Sequence, residues 1–332
     1  MNHTMHRICT RLAGATALAL ALASTALAQG VWPPVDQPVQ LVVTAPVGSI
    51  DDAIARMVVE RLNGGSLGGR FAITNQYGIN GNAGAGTVAA APADGTRLLL
   101  SGSNTLAVNP SLFKELPFDP QKSFQAIGLV ADIPNILVVN SRLPVHTLAE
   151  FDEYVKTHPG EINFGSNGHG SSTHLAGQLY MNDIDANMVH IPYSSSELAV
   201  NNLVSGEIQS MFPLIPGIQS QIKTGKVRAL GIMAKTRSSV LPDVPTMAEQ
   251  GHPRMLSSHW LALLAPKDTP QEIIELANQA LNDALRDPSL DQKLAGMGAV
   301  ALGGTPQNLD DALAASLKKW RGVVAGADIR LQ

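Results

Sequence analysis

Cysteine is nearly missing from this chain of 332 residues. The single one, Cys9, lies close to the N-terminus, ahead of the first hydrophobic stretch. Disulfides within the chain are therefore excluded, and buried aliphatic side chains have to hold the fold together. Charged residues are also few, at 15%, and the formal net charge is −4. A weakly acidic chain of this kind offers no electrostatic surface for nucleic acid or for anionic membranes.

Long hydrophobic runs are missing after residue 28, where no segment approaches the about 20 apolar residues of a membrane-spanning helix. The one hydrophobic stretch, Leu12–Leu27, follows Arg7 and Arg11 and ends at the small-residue site Ala26-Leu27-Ala28. This pattern predicts a signal peptide over residues 1–28, cleavage after Ala28 and export to the periplasm. Loss of the two arginines takes the net charge from −4 to −6.

Strand-like runs and helical patterns alternate through most of the chain. Strands are predicted at Val39–Thr44, Phe71–Thr74 and Arg97–Ser101, each followed by a helical pattern. This alternation predicts an α/β fold, with mainly parallel sheets flanked by helices. Residues 132–245 contain enough strands and helices for one complete α/β unit.

The C-terminal part contains helices that lack strands of their own. A predicted strand at Trp260–Ala265 is followed by helices at Pro270–Arg286, Leu290–Ala295 and Pro306–Ala325. Their apolar stripes should pack back on the first unit. We therefore predict two lobes, residues 31–131 plus 246–332 and residues 132–245, joined by two hinge crossings with a ligand held between them.

Two loops rich in glycine and hydroxyl side chains lie between predicted strands and helices. They are Pro46–Asp52 and Gly165–His174, and neither contains Lys or Arg. Unpaired N–H groups in a helix's first turn attract anions, and glycine lets the backbone approach a ligand closely. Two such loops facing each other would clamp a carboxylate, although each alone could be an ordinary capped turn.

Motifs of common enzyme classes are incomplete. Gly165 to Gly170 has P-loop spacing, but Ser171 stands where the lysine is required. His169 and His174 lie five residues apart without cysteines or an acidic cluster, which is not a zinc-ligand spacing on a helix. We predict no catalytic residue, metal or cofactor. An exported Ser–His–Asp hydrolase stays open as an alternative, since sequence cannot show whether such side chains meet.

An ordered series of short motifs covers residues 33–325. The motifs are Pro46-Val47-Gly48 with Asp52 and Ala55-Arg56; Asn75; Gly81-Asn82 and Gly84; Ala91–Gly95; Asn109–Leu112; Leu116–Pro120; Phe164–Ser166; Thr173–Gly177; His190–Tyr193; Gly225–Leu230; Leu241–Thr246; Trp260; Leu264–Pro266; and Gly303–Pro306. In this order they resemble the Bug family, the periplasmic substrate-binding receptors of tripartite tricarboxylate transporters.

The resemblance implies a two-lobed periplasmic binding protein, a type II-like Venus flytrap without catalytic activity. It also implies that a monomer captures a small organic carboxylate and delivers it to membrane transporter subunits. A receptor of the same fold could instead report its ligand to a membrane kinase, and sequence does not separate the two roles.

The resemblance also nominates residues for the carboxylate site. They are Pro46, Val47, Gly48 and Asp52 in the first loop, and Ser166, Asn167, Gly168, Thr173 and His174 in the second. The hydroxyl groups of Ser49, Ser171, Ser172 and Ser194 join this predicted site. Ser103 and Asn104 should lie where the third strand opens onto the cleft, either touching ligand or capping the next turn. Tyr193 either stacks on the ligand or anchors a strand end.

Departures from the family pattern bear on the ligand. Asp51 stands beside Asp52 and could cap the helix, hydroxyl side chains replace a usual lysine after Tyr193, and Pro213 replaces a usual acidic or amide residue. An amino-acid ligand, whose ammonium group needs a carboxylate partner, is therefore less expected than a dicarboxylate or an aromatic acid such as terephthalate. His259 receives no role from the sequence.

Overall fold

The computed structural model describes residues 32–68, 70–327 and 329, so the predicted signal peptide lies outside the described residues. One sheet has six strands in the order β11-β4-β10-β3-β1-β2. Its strands are β1 (Val39–Val43), β2 (Phe71–Asn75), β3 (Arg97–Gly102), β4 (Phe124–Pro134), β10 (Ser258–Pro266) and β11 (Val300–Gly303).

The other sheet has five strands in the order β7-β6-β8-β5-β9. They are β5 (Ile136–Asn140), β6 (Asn163–Ser166), β7 (Val189–Pro192), β8 (Ser210–Met211) and β9 (Val227–Ile232). Each sheet with its covering helices forms one lobe, called here the first and the second lobe. The two-lobed α/β fold is therefore confirmed.

Helices flank both sheets. They are α1 (Ile50–Gly64), α2 (Asn82–Ala89), a π-helix (Asn104–Val108), α3 (Asn109–Leu112), α4 (Leu148–Thr157), α5 (Ser172–Ile184), α6 (Ser196–Ser205), α7 (Gln219–Lys223), α8 (Gln271–Leu285), α9 (Pro288–Gly296) and α10 (Pro306–Gly326), with 3-10 turns at Ile215–Gly217 and Ala248–Gln250. No helix among the described residues is both long enough and apolar enough to cross a bilayer.

The sheets are mixed, which corrects the expectation of mainly parallel sheets. In the first lobe β1 runs parallel to β2 and β3, but β10 pairs antiparallel with both β3 and β4. In the second lobe β5 runs antiparallel to β8 and β9. The antiparallel pairs involve β4, β5 and β10, which carry the chain between lobes and so lack the helical crossover that a parallel pair requires.

The two crossings lie side by side and are bonded to each other. Asn135, between β4 and β5, is fully buried, and its Oδ1 accepts a hydrogen bond from Ser257 Oγ at 2.9 Å. The Asn135 N–H donates to the Ser257 carbonyl, also at 2.9 Å. Met247 and Met255 pack in the core of the second lobe, so the chain returns near Ser257, later than the predicted boundary at 245. The segment Leu241–Thr246 returns to β9, where Thr246 pairs with Ile232, before the chain leaves the second lobe.

The C-terminal helices cover the first sheet, as the apolar stripes predict. Ile274 and Leu281 of α8 pack in the core on one face, with Val130 and Leu263 of the sheet. On the other face Trp320 of α10 packs with sheet residues of a second core. The short edge strand β11 between α9 and α10 was not predicted, because its four residues are too few for a recognisable pattern.

Candidate ligand-binding cleft

A cleft of about 890 Å³ lies between the two lobes, at the carboxyl ends of strands β1 and β3. This is where α/β sheets commonly bind ligands. The first lobe contributes Thr44, Ala45, Pro46, Gly48, Ser49, Ile50, Asp51, Tyr77, Asn80, Gly102, Asn104, Thr105, Asn109 and His259. The second lobe contributes Asn167, His169, Gly170, Ser171, Ser172, Ser196, Glu197, Val200, Asn201, Leu214, Gly217 and Gln221.

Several helices begin at this cleft. The first residues of α1, α5 and α6 line it, namely Ile50, Ser172 and Ser196, and so does Asn104 at the start of the π-helix. Each helix start presents N–H groups without partners and the positive end of the helix dipole. None of the described residues that line the cleft is Lys or Arg. An anion in the cleft would therefore be held by backbone amides and polar side chains.

The first loop satisfies some of its own amides and leaves others open. Ser49 caps α1, and its Oγ accepts a hydrogen bond from the Asp52 N–H at 3.2 Å. The Gly48 N–H donates to Asp52 Oδ2 at 2.9 Å. The N–H groups of Ile50 and Asp51 have no hydrogen-bond partner within the described chain. These two amides are the donors that α1 offers to a ligand.

Asp52 supports this loop from below the cleft wall. Its buried carboxylate accepts hydrogen bonds from the Gly48 amide, from Asn75 Nδ2 at 2.9 Å and from Arg56 Nε at 3.0 Å. Burial raises the pKa of Asp52, but the bonds from Arg56, Gly48 and Asn75 outweigh it and hold that pKa below its usual value. Asp52 is charged at neutral pH and fixes the shape of the loop.

The second loop is organised in the same way by its own side chains. Ser171 caps α5, with its Oγ accepting from the His174 N–H. Three further amides are bonded internally: Asn167 N–H to Thr173 Oγ1 at 2.9 Å, Gly168 N–H to Ser166 Oγ at 3.1 Å, and Gly170 N–H to His174 Nδ1 at 3.1 Å. The amides of Ser172 and Thr173 have no partner in the part of the chain that the structure describes.

The structure brings part of the predicted site to the cleft surface. Pro46, Gly48, Ser49, Asn104, Asn167, Ser171 and Ser172 line it. The other predicted residues, Val47, Asp52, Ser103, Ser166, Gly168, Thr173, His174, Tyr193 and Ser194, do not. Val47 is 73% exposed to solvent. Tyr193 packs against the core of the second lobe, which agrees with the anchoring alternative.

Three histidines of the second lobe lie together at the second loop: His169 and His174 belong to the loop, and His190 comes from β7. The rings of His174 and His190 stack with centroids 3.6 Å apart, and His169 stands edge-on to both. Burial, aided by the neighbouring imidazoles, lowers the pKa of His174 to about 3 and that of His190 to about 4. Both rings are therefore neutral at neutral pH.

Nitrogens of these three histidines come within 4.8 Å of one another, a spacing that sequence alone did not reveal because His190 comes from β7. The arrangement does not fit a metal ion well. His174 Nδ1 accepts a hydrogen bond from Gly170 and so carries no proton, whereas a metal-binding imidazole donates through its second nitrogen. The cluster therefore positions the Gly168–Ser171 segment.

A second polar cluster lies in the wall of the first lobe. His259 Nε2 lies 3.1 and 3.0 Å from the two carboxylate oxygens of Asp51, and its Nδ1 lies 3.2 Å from Ser103 Oγ. The His259 ring packs against β3 at Gly102, where the Cβ atom of any other residue would overlap the ring. Burial opposes charge on His259, but Asp51 and, more weakly, Asp132 outweigh it and raise the pKa of His259. The raised pKa favours the charged form of His259 beside the acidic side chain of Asp51.

Sequence reasoning missed several residues of the cleft. Beside His259 they include Thr44, Tyr77, Asn80, Thr105, Asn109, Ser196, Glu197, Asn201 and Gln221. Asp51, which the sequence offered as a possible cap of α1, lines the cleft, and Ser49 is the cap instead. A signal for Ser196 was present, because Ser195-Ser196-Glu197 is a helix-capping pattern and Ser195 does cap α6. His259 could have been flagged as one polar residue in an otherwise apolar strand.

Comparisons with known proteins agree with this architecture. The family described as "Tripartite tricarboxylate transporter family receptor" matches residues 54–329. Protein BugT of Bordetella pertussis is 34% identical over 297 residues, covering 89% of this chain and 91% of BugT. Two solved structures show the same fold. R. palustris Rpa4515 with adipate has a TM-score of 0.78 at 30% identity, covering 90% of this chain and all of that one (100%). MatC from Rhodopseudomonas palustris with bound malate has a TM-score of 0.74 at 29% identity, covering 87% of this chain and 99% of MatC.

Proposed function

Since the chain belongs to the tripartite tricarboxylate transporter receptor family, we propose that it captures a small organic carboxylate between its two lobes and delivers it to the membrane subunits of such a transporter. The ligand class is a dicarboxylate, with aromatic dicarboxylates such as terephthalate included. The receptor works in the periplasm as a monomer after cleavage behind Ala28, and it catalyses no reaction.

The observation that carries this proposal is the meeting of helix starts from both lobes in one cleft. Ile50 and Asp51 from the first lobe and Ser172 from the second present unpartnered amides to that cleft. A carboxylate bridging them would receive charge-assisted hydrogen bonds from both sides, which favours closure. Neutral donors also let the ligand leave again, as delivery to a transporter requires.

The relatives support the ligand class. One structural neighbour holds adipate and another holds malate, and both ligands are aliphatic dicarboxylates. The cleft of about 890 Å³ has room for acids of this size together with bridging waters. Such waters would let one set of backbone donors serve acids of different length.

One observation favours the alternative of a serine hydrolase, but the exposure of the same residues argues against it. Ser103, His259 and Asp51 are connected by hydrogen bonds, as in a catalytic triad. However, the side chain of Asp51 is 19% exposed, that of His259 is 7% exposed and Ser103 as a residue is 2% exposed, so the acid faces the cleft and the hydroxyl lies innermost. A nucleophile must face its substrate, and an imidazolium cannot accept the serine's proton.

The proposal is tested first with a thermal-shift screen of the purified protein. The screen includes C4–C6 dicarboxylates, tricarboxylates, nicotinate and terephthalate, with amino acids, sugars and metal ions as other classes. A ligand at 100 times its Kd stabilises the folded state by about 2.7 kcal/mol, which a melting curve detects. Stabilisation by amino acids, sugars or metals alone would overturn the ligand class. Uptake of the same acid by cells with and without the gene distinguishes delivery from sensing. A receptor that delivers the acid is required for uptake, so deletion of the gene should abolish it.

Proline substitutions test the amide clamp directly. Proline suits the first position of a helix, where it removes an N–H group that the helix does not use together with the native side chain. The matching alanine variants keep that N–H and show what the side chain alone contributes. Ile50→Pro and Ser172→Pro should each weaken binding of the identified acid about tenfold to a hundredfold, the value of a hydrogen bond to a charged group. Gln271→Pro, at the exposed first position of α8, is the matched control and should bind normally. Unchanged affinity in both cleft variants would refute the clamp.

A further inference from the structure

Asp51 poses an electrostatic problem at the proposed carboxylate site. Its own N–H is one of the two open amides of α1, so a carboxylate bound there lies within a few ångströms of the Asp51 side chain. Two carboxylates at that distance repel each other, and juxtaposed like charges cost several kcal/mol in binding. A cleft that receives anions would be expected to avoid an acid at this position.

His259 removes the repulsion. Its Nε2 contacts both oxygens of Asp51, at 3.1 and 3.0 Å, and the ring is held from behind by Ser103. The acidic groups that act on the ring are Asp51 from α1 and, more weakly, Asp132 from β4, whose own pKa is raised by burial. An imidazolium and a carboxylate in contact carry no net charge together. The pair therefore allows an anion to approach while an acid remains in the wall.

The same contact leaves Asp51 able to accept another hydrogen bond. A carboxylate has about four lone-pair directions, and one imidazole N–H shared between both oxygens leaves most of them unused. The side chain of Asp51 is 19% exposed and lines the cleft, so these acceptor directions are open to a bound molecule. What Asp51 lacks is a donor, and the ligand can supply one.

We infer that Asp51 determines specificity by accepting a hydrogen bond from a hydroxyl group next to the ligand's bound carboxylate, so that this receptor prefers hydroxy acids. This inference rests on the proposed function and narrows its ligand class. An acid without the hydroxyl leaves Asp51 facing a ligand that cannot donate, whereas a hydroxy acid satisfies it. An ammonium group in the same place gains less than it would from an isolated acid, because His259 already neutralises Asp51.

The test uses sets of acids that differ only in that substituent. The sets are succinate, malate and aspartate; propionate, lactate and alanine; and phenylacetate, mandelate and phenylglycine. Calorimetric titration should give, in every set that binds, a hydroxy acid that binds about tenfold to a hundredfold more tightly than the acid without the hydroxyl. Equal affinity within a set, or preference for the amino acid, overturns the inference and leaves the proposed function standing. If no acid binds, both fail.

Variants separate the hydrogen bond from the charge. Asp51→Ala should weaken the hydroxy acid about tenfold or more and leave its unsubstituted partner within about twofold, because His259 loses its charge together with its partner. His259→Gln leaves Asp51 uncompensated and should weaken both acids about tenfold or more. The double variant should restore the unsubstituted acid. A merely structural role of the pair would weaken both acids alike in all three variants.

Asp311→Ala is the matched control, because Asp311 is an exposed acid on α10 that does not line the cleft. It should bind both acids as the unmodified protein does. If His259→Gln fails to fold, Asp51→Ala decides alone, since Asp51 lies at the surface of the cleft. Loss of hydroxy-acid preference in Asp51→Ala supports the inference, and retention of that preference overturns it.

Discussion

Replacement of Asp52 by asparagine should destabilise the protein strongly although the side chain keeps its shape. Asp52 is 2% exposed, and its two oxygens accept hydrogen bonds from the Gly48 amide, Asn75 Nδ2 and Arg56 Nε. Asparagine offers one acceptor oxygen where the carboxylate offers two. Its NH2 group would have to face at least one of these donors.

The magnitude follows from the contacts that are lost. Arg56 is 53% exposed, so its ion pair with Asp52 contributes about 0–1 kcal/mol after screening by solvent. The bonds from Gly48 and Asn75 end on a buried charged acceptor and are worth about 1.5–3 kcal/mol each. Loss of at least one of them, with two donors left facing each other, lowers the free energy of unfolding by about 2–4 kcal/mol.

Urea unfolding of the unmodified protein, Asp52→Asn and the exposed control Asp311→Asn measures this difference. The pKa of Asp52 is lowered in the fold, so its contribution is present above about pH 4, the unfolded value, and disappears as the pH falls through the folded value. The gap between the unmodified protein and Asp52→Asn should therefore be full at pH 7 and narrow below pH 4. Equal unfolding free energies at pH 7 would refute the role assigned to Asp52.

Two further predictions concern the second loop and the histidines. Ser171→Ala should lower the free energy of unfolding by about 1 kcal/mol through loss of the α5 cap; an unchanged free energy in urea unfolding would contradict that role of Ser171. Stability measured by urea unfolding should be greatest near pH 6.5. Below it, His174 and His190 stay neutral in the fold, at pKa values of about 3 and about 4, while the unfolded chain takes up protons. Above it, the contribution of His259, whose pKa is raised, is lost as the pH rises through its folded value. A flat profile from pH 4 to 9 would contradict both assignments.

Local patterns were sufficient to predict where the loops of the site lie. The strand predicted at Val39–Thr44 is found at Val39–Val43, and the second loop leads into a helix, α5, that begins at Ser172. Both features depend on neighbouring residues: an apolar run followed by glycine and then by a capping hydroxyl. Because consecutive strands and helices fix where such a loop sits on a sheet, the position of the clamp could be predicted.

Which groups of each loop stay open to a ligand could not be predicted. Gly48, Asn167 and Gly168 were expected to donate amides, but side chains of the same loops occupy those amides. Within the described chain the open amides belong to Ile50 and Asp51 of α1 and to Ser172 and Thr173 of α5, at positions where a helix supplies no partner. That distinction depends on side-chain rotamers within each loop, and residue types alone do not determine them.

The antiparallel insertion of β10 also has no local signature. It places His259 beside Asp51, residues that lie 208 positions apart in the chain. Sequence reasoning treated the absence of Lys and Arg from both loops as the absence of any fixed cation. The cation comes instead from a strand that enters the sheet between β3 and β4 after the chain has returned from the second lobe.

The charge of His259 does not by itself attract an anion to the cleft, because the neighbouring Asp51 neutralises it. The Asp51–His259 pair has no net charge, and Glu197 adds a further acid to the lining. Attraction must then come from the oriented amides at the starts of α1, α5 and α6, whose field falls off within about one helical turn. A ligand gains that attraction only when both lobes surround it, and it loses the attraction when they part. Under the proposed function, the short range of the dipoles therefore couples binding to closure, as a receptor that must both hold and release its ligand requires.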